Sequence, residues 1–269
     1  MTSTGGNQQA ESSAVARALI AAWHETSNTP LVGTRKRQIN QQQLAVAHGL
    51  AAHVHYLAGP ALDLLDQGLV LAALPLVRSC FESAITAQWV VQTEDGVQAF
   101  VNEDVRQRRS HVRTLEKAMS EVFRDAAPGI ERQLIDPLET DATARGFQHL
   151  CDDLHPVGAD GYATFRMLSQ FSHASVVVVD CYLQLHPGPT GLALRGEPDE
   201  PNAAAWTSIL AATLVWAGRA IDFMDKNHSR RSELRRAASQ LGIRSDLQLS
   251  ASALERQAKG RADARLHAT

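Results

Sequence analysis

Residues 61–92 read ALDLLDQGLVLAALPLVRSCFESAITAQWVVQ, the most apolar stretch of the chain. Its apolar residues keep helical spacing over a length too great for a strand, so it predicts a buried helix at the centre of the fold. Inside it stand an arginine and a carboxylate, Arg78 and Glu82. Their i,i+4 spacing puts both on one helix face, one turn apart, with Ile85 and Trp89 continuing the stripe. An ion pair is costly to bury unless it is satisfied. The pair therefore marks either a structural lock or the wall of a functional pocket.

Outward from this segment the pattern stays helical. A first helix is expected from Gln9 to Glu25 and a second from Thr34 to Ala58, stopped by Gly59-Pro60. The second would open on Arg35-Lys36-Arg37, the wrong charge for a helix N-terminus. Pro75 is expected to kink or split the central helix. After a break at Thr93 to Gly96, a long polar helix is expected from Val97 to Phe123, closed by Ala126-Ala127-Pro128-Gly129. Two shorter helices follow at Glu131 to Ile135 and Glu139 to Leu154, then a loop at Gly158 to Gly161. The second very apolar helix is YATFRMLSQFSHASVVVVDCYLQL, Tyr162 to Leu185. The Pro/Gly-rich interval from His186 to Pro201 has the composition of a short hairpin. A last strong helix spans Pro201 to Lys226. The sum is an all-α fold, an irregular helical bundle of about six to eight helices. Its principal domain covers residues 9–229, between a disordered leader at 1–8 and a basic, partly helical tail at 230–269.

The chain has 269 residues, 44% of them hydrophobic, enough for one large helical domain. Charged residues punctuate the best apolar window, so no membrane span is expected. The N-terminus lacks a basic start and an apolar core of a signal peptide, which fits a cytoplasmic protein. Cys80, Cys151 and Cys181 have no metal-like spacing and read as buried thiols. From Arg230 onward nine basic residues face four acidic ones, so the tail is about +5 within a chain of net charge -3. Such a tail suits either nucleic acid or a solvated helical arm.

Arg78-x-x-x-Glu82 with Trp89, an arginine-rich helix, and then Tyr162, Leu168-Ser169 and His173 together resemble a family of uncharacterised all-helical bacterial proteins common in actinobacteria. The resemblance covers Ala61 to Leu185. It implies that Arg78, Glu82 and His173 meet in space, and it brings no activity. A weaker resemblance is to HEPN ribonucleases and nucleotide-binding domains, whose signature is an arginine and a histidine with four to six residues between them. Arg166 with His173 fits, as does Arg106 with His111. That resemblance implies metal-independent chemistry, with histidine activating an RNA 2'-hydroxyl and arginine stabilising the phosphate charge. About three such spacings arise by chance with this many arginines and histidines, and four are present.

Arg106, Arg109 and Arg113 form one basic stripe with His111 beside it. The stripe suits phosphate, or equally a solvated face paired with Glu103, Asp104 and Glu116. Metal chemistry competes, through Glu82, Glu103, His111, Asp152, His155, His173 and Asp180, with His173 and Asp180 two turns apart on one helix. The Glu-x-x-His pairs of di-iron bundles are missing. Asp63-x-x-Asp66 and Asp152-Asp153 resemble the magnesium carboxylates of helical prenyl-diphosphate enzymes without the third aspartate, and aromatic content is 5%. His48, His53 and His55 read as polar positions on an interface.

The function expected is binding of a phosphate-bearing ligand such as RNA or a nucleotide, with cleavage as its catalytic extension. His173 would be the base, Arg166 and Arg78 the anion stabilisers and Glu82 the orienting carboxylate. Arg106, Arg109, His111, Tyr162 and Ser169 would contact the ligand. The alternatives are a di-iron or magnesium enzyme acting on a small molecule, and a non-catalytic interaction module. The sequence names no cofactor, and a homodimer is expected.

Overall fold

The computed structural model describes residues 3–26, 41–185 and 191–267. The described chain is mostly α-helical, with eleven helices rather than six to eight and only two small two-stranded sheets. In order, the first elements are α1 (Ser3–Thr26), α2 (Gln41–Asp66), α3 (Val70–Gln92), α4 (Gly96–Glu116), α5 (Glu121–Glu131) and α6 (Phe147–Asp152). There follow β1 (Leu154–His155), α7 (Gly158–Ser172), α8 (Val176–Asp180), β2 (Leu183–Leu185) and β3 (Leu192–Leu194). The chain closes with α9 (Ala203–Met224), α10 (Arg231–Gln240), β4 (Gln248–Leu249) and α11 (Ala251–His267).

The core is α3 packed on α2 and α9, with α1 against α9. Ala58, Ala61, Leu62 and Leu65 of α2 and Leu74, Val77, Cys80 and Ile85 of α3 are fully buried. That burial explains why Gly59-Pro60 does not stop α2. A proline loses one helical bond, and the apolar face running through it is worth more than that bond. The chain divides at Gln67-Gly68 instead. Gly68 takes φ 78, Leu69 donates to the Leu64 carbonyl at 2.9 Å and Gly68 to that of Leu65 at 3.1 Å. This is a Schellman stop, which needs the left-handed conformation glycine adopts without cost. Pro75 lies inside α3. Near the exposed start of that helix, the Leu71 amide donates to the Glu200 carboxylate at 2.8 Å. The basic triplet at 35–37 lies outside the described residues.

Further along, Lys117 to Ser120 breaks the expected long polar helix into α4 and α5, while Pro128 sits within α5 rather than closing it. Residues 132–146 are irregular where two short helices were expected, and only α6 remains of them. Gly158 to Gly161 belongs to α7. A Cβ at Gly161 would come within 2.0 Å of Val157 Cγ1 and 3.6 Å of Cys151 Sγ, so glycine lets α7 close on α6.

The expected helix from Tyr162 to Leu185 stops at Ser172. His173 is extended at φ -131, ψ 161, and Ser175 caps α8 by accepting from the Val178 amide at 3.3 Å. Ser175 Oγ also donates to the Gln170 carbonyl at 2.6 Å. Serine side chains compete with the helix for backbone groups, and the valine run after them has low helix propensity, so the break falls here. The expected hairpin forms, as β2 against β3 with Leu183 facing Leu194 and Leu185 facing Leu192. In the tail, β4 pairs antiparallel with β1, which ties residues 248–249 to the body.

By length and hydropathy α3 and α9 could each cross a membrane. Here both are central helices of the bundle, with 56% and 72% of their most apolar windows buried.

Candidate functional site

The expected site residues fall in three places. On α7, Tyr162, Phe165, Arg166 and Ser169 stand at i, i+3, i+4 and i+7, hence on one face. Arg78 of α3 crosses to that face. Its guanidinium lies over the Phe165 ring, 4.8 Å from the centroid, and its Nε donates to Ser169 Oγ at 3.0 Å. Ser169 in turn donates to the Phe165 carbonyl at 2.7 Å, which fixes the hydroxyl as acceptor for the arginine. Arg166 covers the Tyr162 ring at 5.9 Å. Among the described residues Glu82 is the carboxylate that pairs with Arg78, and at 3.5 Å it holds the guanidinium loosely, with its own side chain 43% exposed. The Arg78 side chain is 24% exposed.

Arg78 ends an aromatic row. Phe165 packs on Phe147 with centroids 4.4 Å apart, Phe147 on Phe81 at 6.1 Å, and Phe81 on Trp216 at 6.3 Å. At the Trp216 end lies an apolar cleft of about 280 Å³ between α3, α7 and α9, with Asp160, Thr164 and Arg244 among its lining residues. The ledge is therefore rigid beneath and charged on top.

The remaining expected residues stand apart from this group. His173 is exposed at the C-terminus of α7, and among the described residues no hydrogen bond or ion pair joins it to Arg78, Glu82 or Arg166. The α7 break also ends the shared helix on which His173 and Asp180 were to face one another. Arg106, Arg109 and His111 lie on α4, which packs against α5, α3 and α2. Arg106 is forked onto Glu103, with Nε at 2.7 Å from Oε2, and those hydrogen bonds hold the Glu103 carboxyl below its usual range. Arg109 is half-buried and His111 exposed.

The carboxylate motifs have structural partners. Asp63 and Asp66 both accept from Arg17, at 2.9 and 2.7 Å, and Ser13 adds a bond to Asp66, so the motif docks α1 on α2. Asp153 is 5% exposed and accepts the Trp89 indole N–H at 3.0 Å together with the Arg256 guanidinium. Among the described residues no three His, Cys, Asp or Glu side chains converge as a metal-holding group. His55 is not an interface position. It is 2% exposed, stacked on Trp23 at 4.2 Å, and burial pushes its pKa down to about 3. Cys80 and Cys151 are buried, and desolvation raises both thiols to about 12.

Two clusters escape the sequence reading. Around Asp153, the C-terminal end of α3, the 141–143 loop, α6 and α11 enclose a polar cavity of about 260 Å³. Thr93 lines it with a buried hydroxyl that has no hydrogen-bond partner, and Glu94 is paired with Arg261. A tryptophan deep in an apolar helix needs an acceptor for its N–H, and that is the signal Trp89 carried. The second cluster is in α9, where Arg219 and Asp222 are 5% and 3% exposed. Arg219 bonds Asp222 and, at 2.9 Å through Nε, Asp246, while Asp222 also accepts the Arg230 amide at 3.2 Å. Residues 61–92 are thus not alone in holding an arginine and a carboxylate within apolar sequence. The α9 pair is the deeper one.

The model of a protein family of unknown function matches residues 44–188, more than half of the chain. That span contains the stretch from Ala61 to Leu185 whose motifs resemble an uncharacterised helical family. No curated protein and no solved structure matches.

Proposed function

The chain belongs to DUF5677, a family of unknown function, and from its own geometry we propose that it binds a phosphate-bearing ligand, such as RNA or a nucleotide, on the α3–α7 ledge. The observation that carries this is the state of Arg78. Its Nε edge is fixed by Ser169 and its face by Phe165, while its nearest carboxylate stands off at 3.5 Å. A guanidinium so oriented keeps donors for an anion and loses little side-chain freedom on binding. Arg166 adds a second cation on the same face of α7, laid over the Tyr162 ring, and an arginine–aromatic surface of this kind is one on which bases stack.

A general base must reach the proton it removes, and His173 stands in extended backbone beyond the end of α7, with no hydrogen bond or ion pair among the described residues to orient it toward Arg78 or Arg166. Arg106 is engaged by Glu103 and is assigned no ligand contact.

Fluorescence anisotropy with a labelled single-stranded RNA, backed by calorimetry with ATP, tests this. Losing a hydrogen bond to a charged group costs about 1.5–3 kcal/mol, so Arg78→Ala should weaken binding roughly ten- to hundredfold. Arg106→Ala should change it less than about twofold. Absence of binding to either probe at about 1 mM protein, or equal affinities for wild type and Arg78→Ala, would overturn the assignment.

A further inference from the structure

The β2–β3 hairpin carries the least expected surface of the molecule. Side chains alternate along a strand, so Leu183 and Leu185 share one face of β2, and Leu192 and Leu194 share one face of β3. The register sets Leu183 opposite Leu194 and Leu185 opposite Leu192, which puts all four on the same face of the ribbon. Only Gln184 and Ala193 look the other way. A two-stranded ribbon with an apolar face ordinarily gains its stability by packing that face on something. Here Leu185 is 84% and Leu194 86% exposed. Val176 and Val179 of α8, the helix that packs on β2, are 73% and 54% exposed.

We propose that this leucine face is where two copies of the chain meet. Its chemistry decides the kind of partner. The face carries no charge, so it offers nothing to steer or select an acidic or basic surface, and an apolar face of one composition is complementary to itself about a two-fold axis. The size agrees. At roughly 100 Å² of apolar surface each, Leu185, Leu192, Leu194, Val176 and Val179 present about 500 Å², the scale at which exposed apolar surface marks an interaction site. Two copies would cover about 1,000 Å², the size a specific interface must clear. The α3–α7 ledge is not needed for the contact, because its cations lie N-terminal to the break at His173 while the contact lies beyond it.

The test is sedimentation velocity of the full chain from about 1 to 100 µM, which spans weak to moderate association. The expected result is a species of twice the 29.2 kDa chain mass. Leu185→Asp and Leu194→Asp should each shift it to monomer, with an unchanged circular dichroism spectrum and denaturation midpoint to show that the bundle remains folded. Gln184→Glu, on the opposite ribbon face, should leave the dimer intact. A wild type that stays monomeric overturns the proposal and leaves the face to a partner of another kind. A dimer that survives both aspartates also overturns it, since the contact then lies elsewhere.

Discussion

Replacing His55 with phenylalanine should remove a defined slice of the protein's acid sensitivity. His55 sits between α1 and α2, stacked on Trp23 with an interplanar angle of 14°, and its Nδ1 lies 2.8 Å from the Ala51 carbonyl. That carbonyl makes Nδ1 the donor, leaving Nε2 as a buried acceptor without a hydrogen-bond partner. Burial first, and the nearby positive charges of Arg230 and His24 after it, pull the folded pKa from 6.5 to about 3. A depressed histidine binds its proton in the unfolded chain before it does so in the folded one. Its contribution is therefore fully present above pH 6.5, falls as pH drops below 6.5 and levels off near pH 3. At 1.36 kcal/mol per unit, His55 alone should remove about 3 kcal/mol of stability between pH 7 and pH 4. Phenylalanine keeps the stack, loses only a second bond on an already helical carbonyl, and does not titrate. Urea unfolding of wild type and His55→Phe at pH 7, 6, 5 and 4 measures the difference directly. The wild type should lose stability relative to the variant by about 1 kcal/mol from pH 7 to 6 and by about 1 kcal/mol for each further unit. A gap that stays constant across this range would refute the reasoning, because it would mean that His55 takes up its proton as easily folded as unfolded.

Two further stability predictions follow from the clusters the sequence did not advertise. Asp153→Ala leaves the Trp89 indole N–H buried without an acceptor and should cost about 2–3 kcal/mol, whereas Asp153→Asn keeps an acceptor and loses the charge facing the half-exposed Arg256 and His149, a cost of about 1 kcal/mol; denaturation midpoints and tryptophan emission distinguish them, and equal costs would show that the charge rather than the acceptor matters. Arg219→Met strands the Asp222 carboxylate at 3% exposure and should cost about 3–5 kcal/mol. Adding Asp222→Leu should recover much of that loss, and a double variant as unstable as the single one would mean that the cost is packing and not charge.

Most of the helical architecture was legible because periodicity reports which face is buried, and in α2, α3 and α9 that face is continuous. The boundaries were less so. Gly59-Pro60 carries every local signal of a helix end, yet Ala58, Ala61 and Leu62 are all fully buried around it, and the gain from that burial exceeds one backbone hydrogen bond. Gly68 offered a weaker signal and is the true stop, because the apolar pattern on its two sides belongs to different helix axes. In the same way Ser175 outweighs the apolar run behind it. Its hydroxyl caps α8 and holds the Gln170 carbonyl, so α7 ends where the pattern alone would continue. Local chemistry wins where the packing gain is small, as in the exposed valines of α8, and loses where it is large.

The same contrast governs the charged pairs, and it separates a lock from the proposed binding site more sharply than spacing can. Arg78 with Glu82 and Arg219 with Asp222 are both arginine and carboxylate about one turn apart in apolar helices, and nothing in their spacing ranks them. Depth and completeness do. Arg219 is 5% exposed and bonded to two carboxylates, one of which is secured again by the Arg230 amide. All three guanidinium nitrogens of Arg219 are engaged by these two carboxylates, so the set holds α9 to residues 230–246. Arg78 is half-buried, bonded to a neutral hydroxyl, laid on an aromatic ring, and only loosely matched to a carboxylate that is itself partly in water. Its charge is oriented but not neutralised at close range, the condition under which an incoming anion gains most. Loss of Arg219 should therefore appear in the unfolding free energy, and loss of Arg78 in phosphate binding by a protein that still folds. A protein in which the two substitutions exchanged these effects would have its lock and its site the other way round.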